Sequence, residues 1–243
     1  MTIKVFEQTE QLIQAAADLF VECARQAIDK NGRFAVALAG GSTPEPVYQR
    51  LAMSELRDQI QWEKVHIFWS DERVVPPDDG RNNARMVRLA LLDHVNIPSQ
   101  NVHPIPTGIN PLLSASNYER TLNSFFAGKP PRLDLALLGL GADGHTASLF
   151  PHTPALEAET RWVADVYTPG QEFHRITLTA VLLNQAAKVV FLVQGAGKAS
   201  VLQAVLEGPK HYASLPAQLI HPVDGEVLWY IDSAAASQLS QIE

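Results

Sequence analysis

Short, solidly apolar runs alternate with segments of helical spacing along most of the chain. Runs such as FAVALA at 34–39 leave no polar face, which is typical of strands that are buried on both sides. The pattern therefore predicts an α/β fold, with a mainly parallel sheet covered by helices on both faces. Strands are expected at 34–39, 65–69, 133–138, 162–166, 175–179, 189–193 and 227–231. Helices are expected at 11–30, from the 40–44 loop to 53, and at 84–94, 112–126, 180–187 and 198–206.

Residues with capping chemistry stand at several of these boundaries. Thr9 is the expected N-cap of the first helix, and Asn31-Gly32 is its expected stop. Asn82 or Asn83 is the expected cap of the helix at 84–94.

Charge and cysteine content narrow the class of protein. The 243 residues hold 19 Lys and Arg against 26 Asp and Glu, a formal net charge of −7. This balance argues against nucleic-acid or acidic-membrane partners, because both are polyanions. Cys23 is the single cysteine, so a disulfide framework is excluded and a reducing cytoplasm is the expected location. No secretion signal or membrane-length apolar run is visible, and residues 1–243 are expected to form one domain.

Polar loops follow the first two predicted strands, at the sheet edge where such folds bind ligands. The loop GGSTP at 40–44 offers backbone amides, two hydroxyls and a proline suited to a helix start. It fits an anion, and a tight turn with a Ser/Thr cap explains it equally well. The segment 70–81 is expected to be a polar loop, in which Arg73 offers a planar fork that Asp71 or Glu72 could orient. A solvated surface turn is the more common fate of such a charged run.

The glycine-rich block 139–151 places Asp143 and His145 directly after the strand at 133–138. Histidine serves as a general base near neutral pH, and the neighbouring glycines leave space and N–H donors for a substrate. A structural histidine is the alternative. The eight histidines show neither HxxH nor HxxxH spacing and GxSxG is absent, so neither a metal site nor a hydrolase nucleophile elbow is favoured.

Two isolated basic residues stand at the predicted start of a strand and of a helix in the second half of the chain. Arg175 begins the strand at 175–179 and Lys198 begins the helix at 198–206. Each alone is more readily a surface charge. A lysine in a first helical turn gains nothing from the helix dipole, however, which suggests another use for Lys198.

Taken in order, these segments resemble the 6-phosphogluconolactonase family. The matching motifs are GGSTP at 40–44, SDER at 70–73 with Asn83 downstream, GLGADGHTASLFP at 139–151, RITLT at 175–179 and GAGK at 195–198. The resemblance spans nearly the whole chain, and its central block is very specific. It implies a modified Rossmann-like fold shared with sugar-phosphate isomerases and deaminases. It also implies hydrolysis of 6-phospho-D-glucono-1,5-lactone to 6-phosphogluconate, the second step of the oxidative pentose phosphate pathway, without a metal or organic cofactor. One departure is Asn82, where such sequences often have Ser.

The resemblance assigns the water-activating role to His145. Asp143 or a backbone carbonyl would orient its ring, and amides near 40–41 or 141–144 would bind the oxyanion. The phosphate is expected on Arg73, Arg175 or Lys198, with the choice among them open. Substrate contacts are expected from Gly40, Gly41, Ser42, Thr43, Asp71, Arg73, Asn83, Gly144, Arg175 and Lys198.

Two alternatives belong to the same fold. Glucosamine-6-phosphate deaminases are similar at Asp-Gly-His but continue with an apolar-Ala-Phe-Asn-Glu-Pro run and have Asp-Glu-Tyr at the position of Arg73. This chain has TASLFP at 146–151, without that Glu. A non-catalytic sugar-phosphate sensor would usually add a DNA-binding segment, for which the sequence shows no room.

Overall fold

The computed structural model of the chain describes residues 1–127 and 129–240. The strands are β1 (Thr2–Phe6), β2 (Phe34–Leu38), β3 (Val65–Trp69), β4 (Asp71–Arg73), β5 (Leu135–Gly139), β6 (Val163–Val166), β7 (Arg175–Leu178), β8 (Lys188–Val193) and β9 (Glu226–Asp232). The α-helices are α1 (Thr9–Asn31), α2 (Glu45–Leu51), α3 (Ser54–Arg57), α4 (Asn83–Ala90), α5 (Pro111–Phe126), α6 (Ala180–Leu183) and α7 (Ala199–Leu206).

Six of these strands form one parallel sheet in the order β1-β9-β8-β5-β2-β3. All five residues of β2 are buried, as a strand covered on both faces requires, so the predicted α/β class is confirmed. The chain adds β3 on one side of β2 and then β5, β8 and β9 on the other side. The winding therefore reverses between β2 and β5, and ligand sites form outside the carboxyl ends of strands at such a reversal.

The second sheet, with the order β4-β7-β6, is antiparallel and corrects the expected loop at 70–81. Residues Asp71–Arg73 look like a loop because all three are charged, yet they pair with β7 as a strand. Ser70 alone separates β3 from β4. Its N–H donates to Leu38 O at 2.8 Å, and its carbonyl accepts from Leu178 N at 2.7 Å, so one residue is bonded to both sheets.

The predicted boundary of the first helix is wrong at its N-terminus. The N-cap is Gln8, whose N–H donates to Gln11 Oε1 at 3.2 Å. Thr9 instead donates its hydroxyl to Asp232 Oδ2, and so ties α1 to β9. The helix ends as expected, with Gly32 in the left-handed region at φ 74°.

Other helices are shorter than their sequence patterns indicate. The helix expected to run to 53 is α2, which ends at Leu51, and the short α3 that follows it was not predicted. The helix expected at 84–94 ends at Ala90, before a 3-10 turn at Leu92–His94. Its cap is Asn82, whose side chain accepts from Arg85 N. The segment expected at 180–187 ends at Leu183. The side chain of Asn184, the next residue, bonds a later segment by donating to Leu219 O and accepting from His221 N. Strand β1 had no counterpart among the expected elements.

The core is continuous around the parallel sheet. Cys23 on α1 is buried in it, and burial raises the pKa of its thiol to about 11, which fits a small apolar side chain rather than a nucleophile. Within the described residues, no helix combines the length and apolar character needed to cross a membrane.

Candidate active site

A cavity of about 310 Å³ opens where β2, β5 and β8 end, beside the β4–β7 pair. The predicted residues that line it are Gly40, Gly41, Ser42, Thr43, Asp71, Arg73, Asn83, His145, Arg175 and Lys198. Asp143 and Gly144 lie outside this lining. Asp143 contacts His145 from behind, whereas the carbonyl of Gly144 accepts from Ala217 N at 2.9 Å.

The GGSTP loop and the start of α4 fit against each other at a glycine. A Cβ on Gly40 would lie 1.8 Å from Asn83 Oδ1, so any other residue would displace the Asn83 carboxamide. That carboxamide donates to Asp71 O at 3.0 Å and accepts from Arg73 Nη1 at 2.8 Å. Gly41 has φ 105°, a conformation that also favours glycine. The loop after β2 is thereby packed onto the residues that position Arg73.

His145 is held by Asp143 on one side. The distance from His145 Nδ1 to Asp143 Oδ1 is 2.5 Å, and the same carboxylate oxygen accepts from His145 N at 3.2 Å. A Cβ on Gly141 would lie 2.0 Å from His145 Nδ1, so the ring occupies space that only glycine leaves. The ring also packs on Phe150 at a centroid distance of 4.3 Å. With Nδ1 donating to the carboxylate, Nε2 is the nitrogen that can accept a proton.

The charge of Asp143 is maintained by its neighbour. Partial burial is the largest single influence and raises the pKa of this carboxyl, but the nearby His145 charge and hydrogen bonds outweigh it and hold the pKa below its ordinary value. Asp143 is therefore an ionised partner for the imidazole at neutral pH.

Two arginines face each other across the small sheet. Arg73 on β4 is directly opposite Arg175 on β7 in the antiparallel register. Like charges directly opposite destabilise a strand pair, so an anion beside both would relieve this repulsion. Burial is the main cause that lowers the pKa of Arg175, and the Arg73 charge adds to that effect. Its Nε donates to Gln171 Oε1 at 3.1 Å, and its Nη1 lies 3.7 Å from Asp71 Oδ2.

Buried carboxylates fix the backbone under these arginines. Glu72, which is fully buried, accepts at 2.8 Å from the N–H groups of Arg73, Asn83 and Ala84, and so joins β4 to the first turn of α4. Burial raises the pKa of Glu72, and these three amides partly offset the effect. Asp71 accepts from Ser148 Oγ at 2.6 Å, which connects β4 to the His145 block.

The cavity carries a local positive charge within an acidic chain. Arg73, Arg175 and Lys198 line it against the single lining carboxylate of Asp71. Lys198 ends the 3-10 turn Ala196–Lys198 and is the N-cap of α7, not its first residue, so the expected helix start is one residue early. Within the described residues, no group of three or more His, Cys, Asp or Glu side chains could hold a metal ion.

The sequence reasoning missed Gln194, which follows β8 and also lines the cavity. A polar residue directly after a solidly apolar strand was the available signal, the same one that identified the 40–44 and 139–146 loops. Leu192 and Val193 line the cavity beside it and were not predicted either.

Comparison with known proteins gives the class to which this fold and cavity correspond. The family described as glucosamine-6-phosphate isomerases/6-phosphogluconolactonase matches residues 7–229. A 6-phosphogluconolactonase from Nostoc sp. is 42% identical over 243 residues, with 98% of each chain covered. One from Synechocystis sp. is 43% identical over 241 residues, again with 98% of each covered. The solved structure of 6-phosphogluconolactonase from Trypanosoma brucei has a TM-score of 0.83 at 30% identity and 98% coverage of both chains. The chain therefore belongs to the 6-phosphogluconolactonase family.

Proposed function

We propose that this cavity hydrolyses 6-phospho-D-glucono-1,5-lactone to 6-phospho-D-gluconate, with His145 as the base that activates water. The observation that carries the proposal is the 2.5 Å contact between His145 Nδ1 and Asp143 Oδ1 beside a cavity lined by three cations. A δ-lactone is an activated ester, so one well-placed base and one oxyanion site are sufficient chemistry. The proposed location is the cytoplasm.

The proton transfers follow from the His145 tautomer. Nε2 takes a proton as the water oxygen bonds to the lactone carbonyl carbon, and Asp143 stabilises the imidazolium that forms. The bond between that carbon and the ring oxygen then breaks, and Nε2–H returns its proton to the departing oxygen. The products are the carboxylic acid, which ionises, and the free hydroxyl.

The hydrogen bonds within the loops narrow the choice of oxyanion donors. The N–H of Gly141 donates to His145 O at 2.8 Å, and the N–H of Gly144 donates to Gly141 O at 3.1 Å. The N–H groups of Gly41 and Ser42, by contrast, have no acceptor within the described residues. We therefore assign the oxyanion to the 41–42 amides rather than to those of Gly141 and Gly144.

The phosphate is assigned to Arg73, Arg175 and Lys198. The first two repel each other across the strand pair, and a dianion between them turns that repulsion into two charge-assisted contacts. Asp71 holds the Arg175 guanidinium at 3.7 Å, and Arg81 O and Asn83 Oδ1 hold Arg73 Nη1, so both forks are oriented before substrate arrives. Three cations gathered at one cavity can therefore bind a phosphate although the whole chain has a net charge of −7.

The base role is tested by the turnover of His145→Ala on freshly made phosphorylated lactone, with spontaneous hydrolysis subtracted. We expect kcat to fall by about 10²- to 10⁴-fold, the usual contribution of a general base. The matched control is His94→Ala, because His94 is exposed and does not line the cavity. A variant with near-wild-type kcat would exclude His145 as the base. Ammonia release from glucosamine 6-phosphate would support the deaminase alternative instead.

The phosphate assignment is tested by comparing the phosphorylated and unphosphorylated lactones. Lys198→Ala should raise KM for the phosphorylated lactone by about tenfold, the scale of one charge-assisted hydrogen bond, and leave the unphosphorylated lactone unaffected. Lys210→Ala is the control, since Lys210 is exposed and lies outside the cavity. Equal effects on both lactones would show that Lys198 does not read the phosphate.

A further inference from the structure

We propose that the Gln194 carboxamide binds one ring hydroxyl of the lactone and sets the preference of the enzyme for the fully hydroxylated sugar. The inference rests on the proposed function, since it places the lactone in the same cavity. It assigns to Gln194 a contact with substrate that none of the sequence motifs indicated.

The position of Gln194 puts it beside the reacting groups. It directly follows β8, whose neighbour β5 leads into the loop with His145. Gln194 lines the cavity together with Leu192 and Val193, and it precedes Lys198, another lining residue, by four positions. A sugar ring bound between His145 and the three cations therefore lies beside the end of β8. Its hydroxyl groups are then within reach of Gln194.

Gln194 differs from the other polar residues of the cavity because its side-chain oxygen is both buried and unpaired. Asp71, Arg73, Asn83, His145 and Arg175 each have a protein partner. Gln194 Oε1 is buried yet has no partner within the described residues, and of the buried atoms in this condition it alone belongs to a cavity-lining residue. A buried, unpaired carbonyl oxygen is costly, so it marks a group whose partner arrives with a ligand.

The chemistry of a carboxamide suits a sugar hydroxyl. The hydroxyl both donates and accepts, and the amide offers an acceptor oxygen and two N–H donors. The last torsion of glutamine is soft, so the amide can turn toward an incoming hydroxyl at little cost. The carboxamide also carries no charge, so it adds no repulsion to the phosphate held by Lys198 nearby. The free hydroxyls of the ring are those at C2, C3 and C4, and the proposal requires that one of them pairs with Gln194.

The test compares Gln194→Met, which keeps the length of the side chain and removes the amide, with the unchanged enzyme. Substrates are the full 6-phosphorylated lactone and its 2-deoxy, 3-deoxy and 4-deoxy analogues. In the unchanged enzyme, kcat/KM should fall by about tenfold for one analogue, the usual scale of one hydrogen bond. In Gln194→Met, kcat/KM for the full lactone should fall by about the same factor, mostly through a higher KM. For the analogue that lacks the paired hydroxyl, kcat/KM should be the same in Gln194→Met as in the unchanged enzyme.

The outcomes separate this proposal from its neighbours. The quantity compared is the ratio of kcat/KM for the full lactone to kcat/KM for each of the three deoxy analogues. If Gln194→Met has the same three ratios as the unchanged enzyme, Gln194 does not contact a hydroxyl and the proposal is overturned. A uniform loss on every substrate, deoxy analogues included, also overturns it, because that pattern indicates a structural role. Failure of the unchanged enzyme to hydrolyse the full lactone would contradict the proposed function instead. The matched control is Gln61→Met, because Gln61 is exposed and lies outside the cavity. If Gln194→Met does not fold, the same kcat/KM ratios are measured with Gln194→Ala.

Discussion

Replacing Asp143 by Asn tests how much of the reactivity of His145 depends on the carboxylate behind it. The substitution keeps the shape of the side chain and removes its charge. Charge-assisted hydrogen bonds contribute about 1.5–3 kcal/mol net, and the 2.5 Å separation from Nδ1 to Oδ1 places this pair in that class. The side chain of Asp143 is 50% exposed, however, and that of His145 is 27% exposed, so water screens part of the interaction.

The discounted contribution is about 1–2 kcal/mol, which corresponds to a decrease in kcat of about 5- to 30-fold. The effect should fall on kcat rather than on KM, because Asp143 does not line the cavity and its charge matters most when the imidazolium forms. The assay is the steady-state consumption of fresh phosphorylated lactone, with the spontaneous rate subtracted at each concentration. Asp29→Asn, at an exposed carboxylate on α1, is the control for a charge change elsewhere. A kcat within twofold of wild type, or a loss confined to KM, would refute the orienting role.

Two further predictions concern the packing of the site and the pH dependence of folding. Gly141→Ala should reduce kcat severely, because its Cβ would lie 2.0 Å from His145 Nδ1. Gly80→Ala, which has open space at its Cβ and lies outside the cavity, should retain most activity. Equal kcat values for the two variants would show that the imidazole can shift freely. Burial lowers the pKa of His103 from 6.5 to about 4. As the pH falls below 6.5, His103 is therefore protonated in the unfolded chain before it is protonated in the folded one. The free energy of unfolding should decrease between pH 6.5 and pH 4 for this reason. His103→Gln should flatten this part of the profile in urea denaturation at pH 7.5 and 5, and an unchanged pH dependence would contradict the assignment.

The sequence predicts those parts of the fold in which an apolar run identifies a strand and the geometry of a parallel sheet then gives the position of the residues that follow it. Parallel strands put their carboxyl ends at one edge of a sheet, so the segments that follow β2 and β5 bring Gly40 and His145 to the same edge. Strand β4 could not be predicted, because the burial of Glu72 depends on three backbone N–H groups, two of them contributed by residues more than ten positions away. The role of Asp71 depends in the same way on Ser148, 77 residues later in the chain.

The boundaries that differ from expectation have the same cause. Thr9 is a good N-cap by residue type, but its hydroxyl has a tertiary partner in Asp232, and Gln8 takes the cap position. Asn184, where α6 ends early, likewise has its side-chain partners in the distant 219–221 segment. Local propensity cannot anticipate such partners, because they are set by the packing of distant segments.

The single residue between β3 and β4 has a consequence for the size of molecule that the site can accept. Ser70 is bonded to Leu38 at the end of β2 and to Leu178 on β7, so the two sheets cannot slide past each other without breaking main-chain hydrogen bonds. The backbone that carries the arginine pair is therefore held in place relative to the sheet from which the His145 loop emerges. On the proposed binding mode, we expect the site to favour one number of bonds between a lactone carbonyl and its phosphate. A lactone that carries its phosphate one carbon closer to the carbonyl should therefore be hydrolysed with a lower kcat/KM.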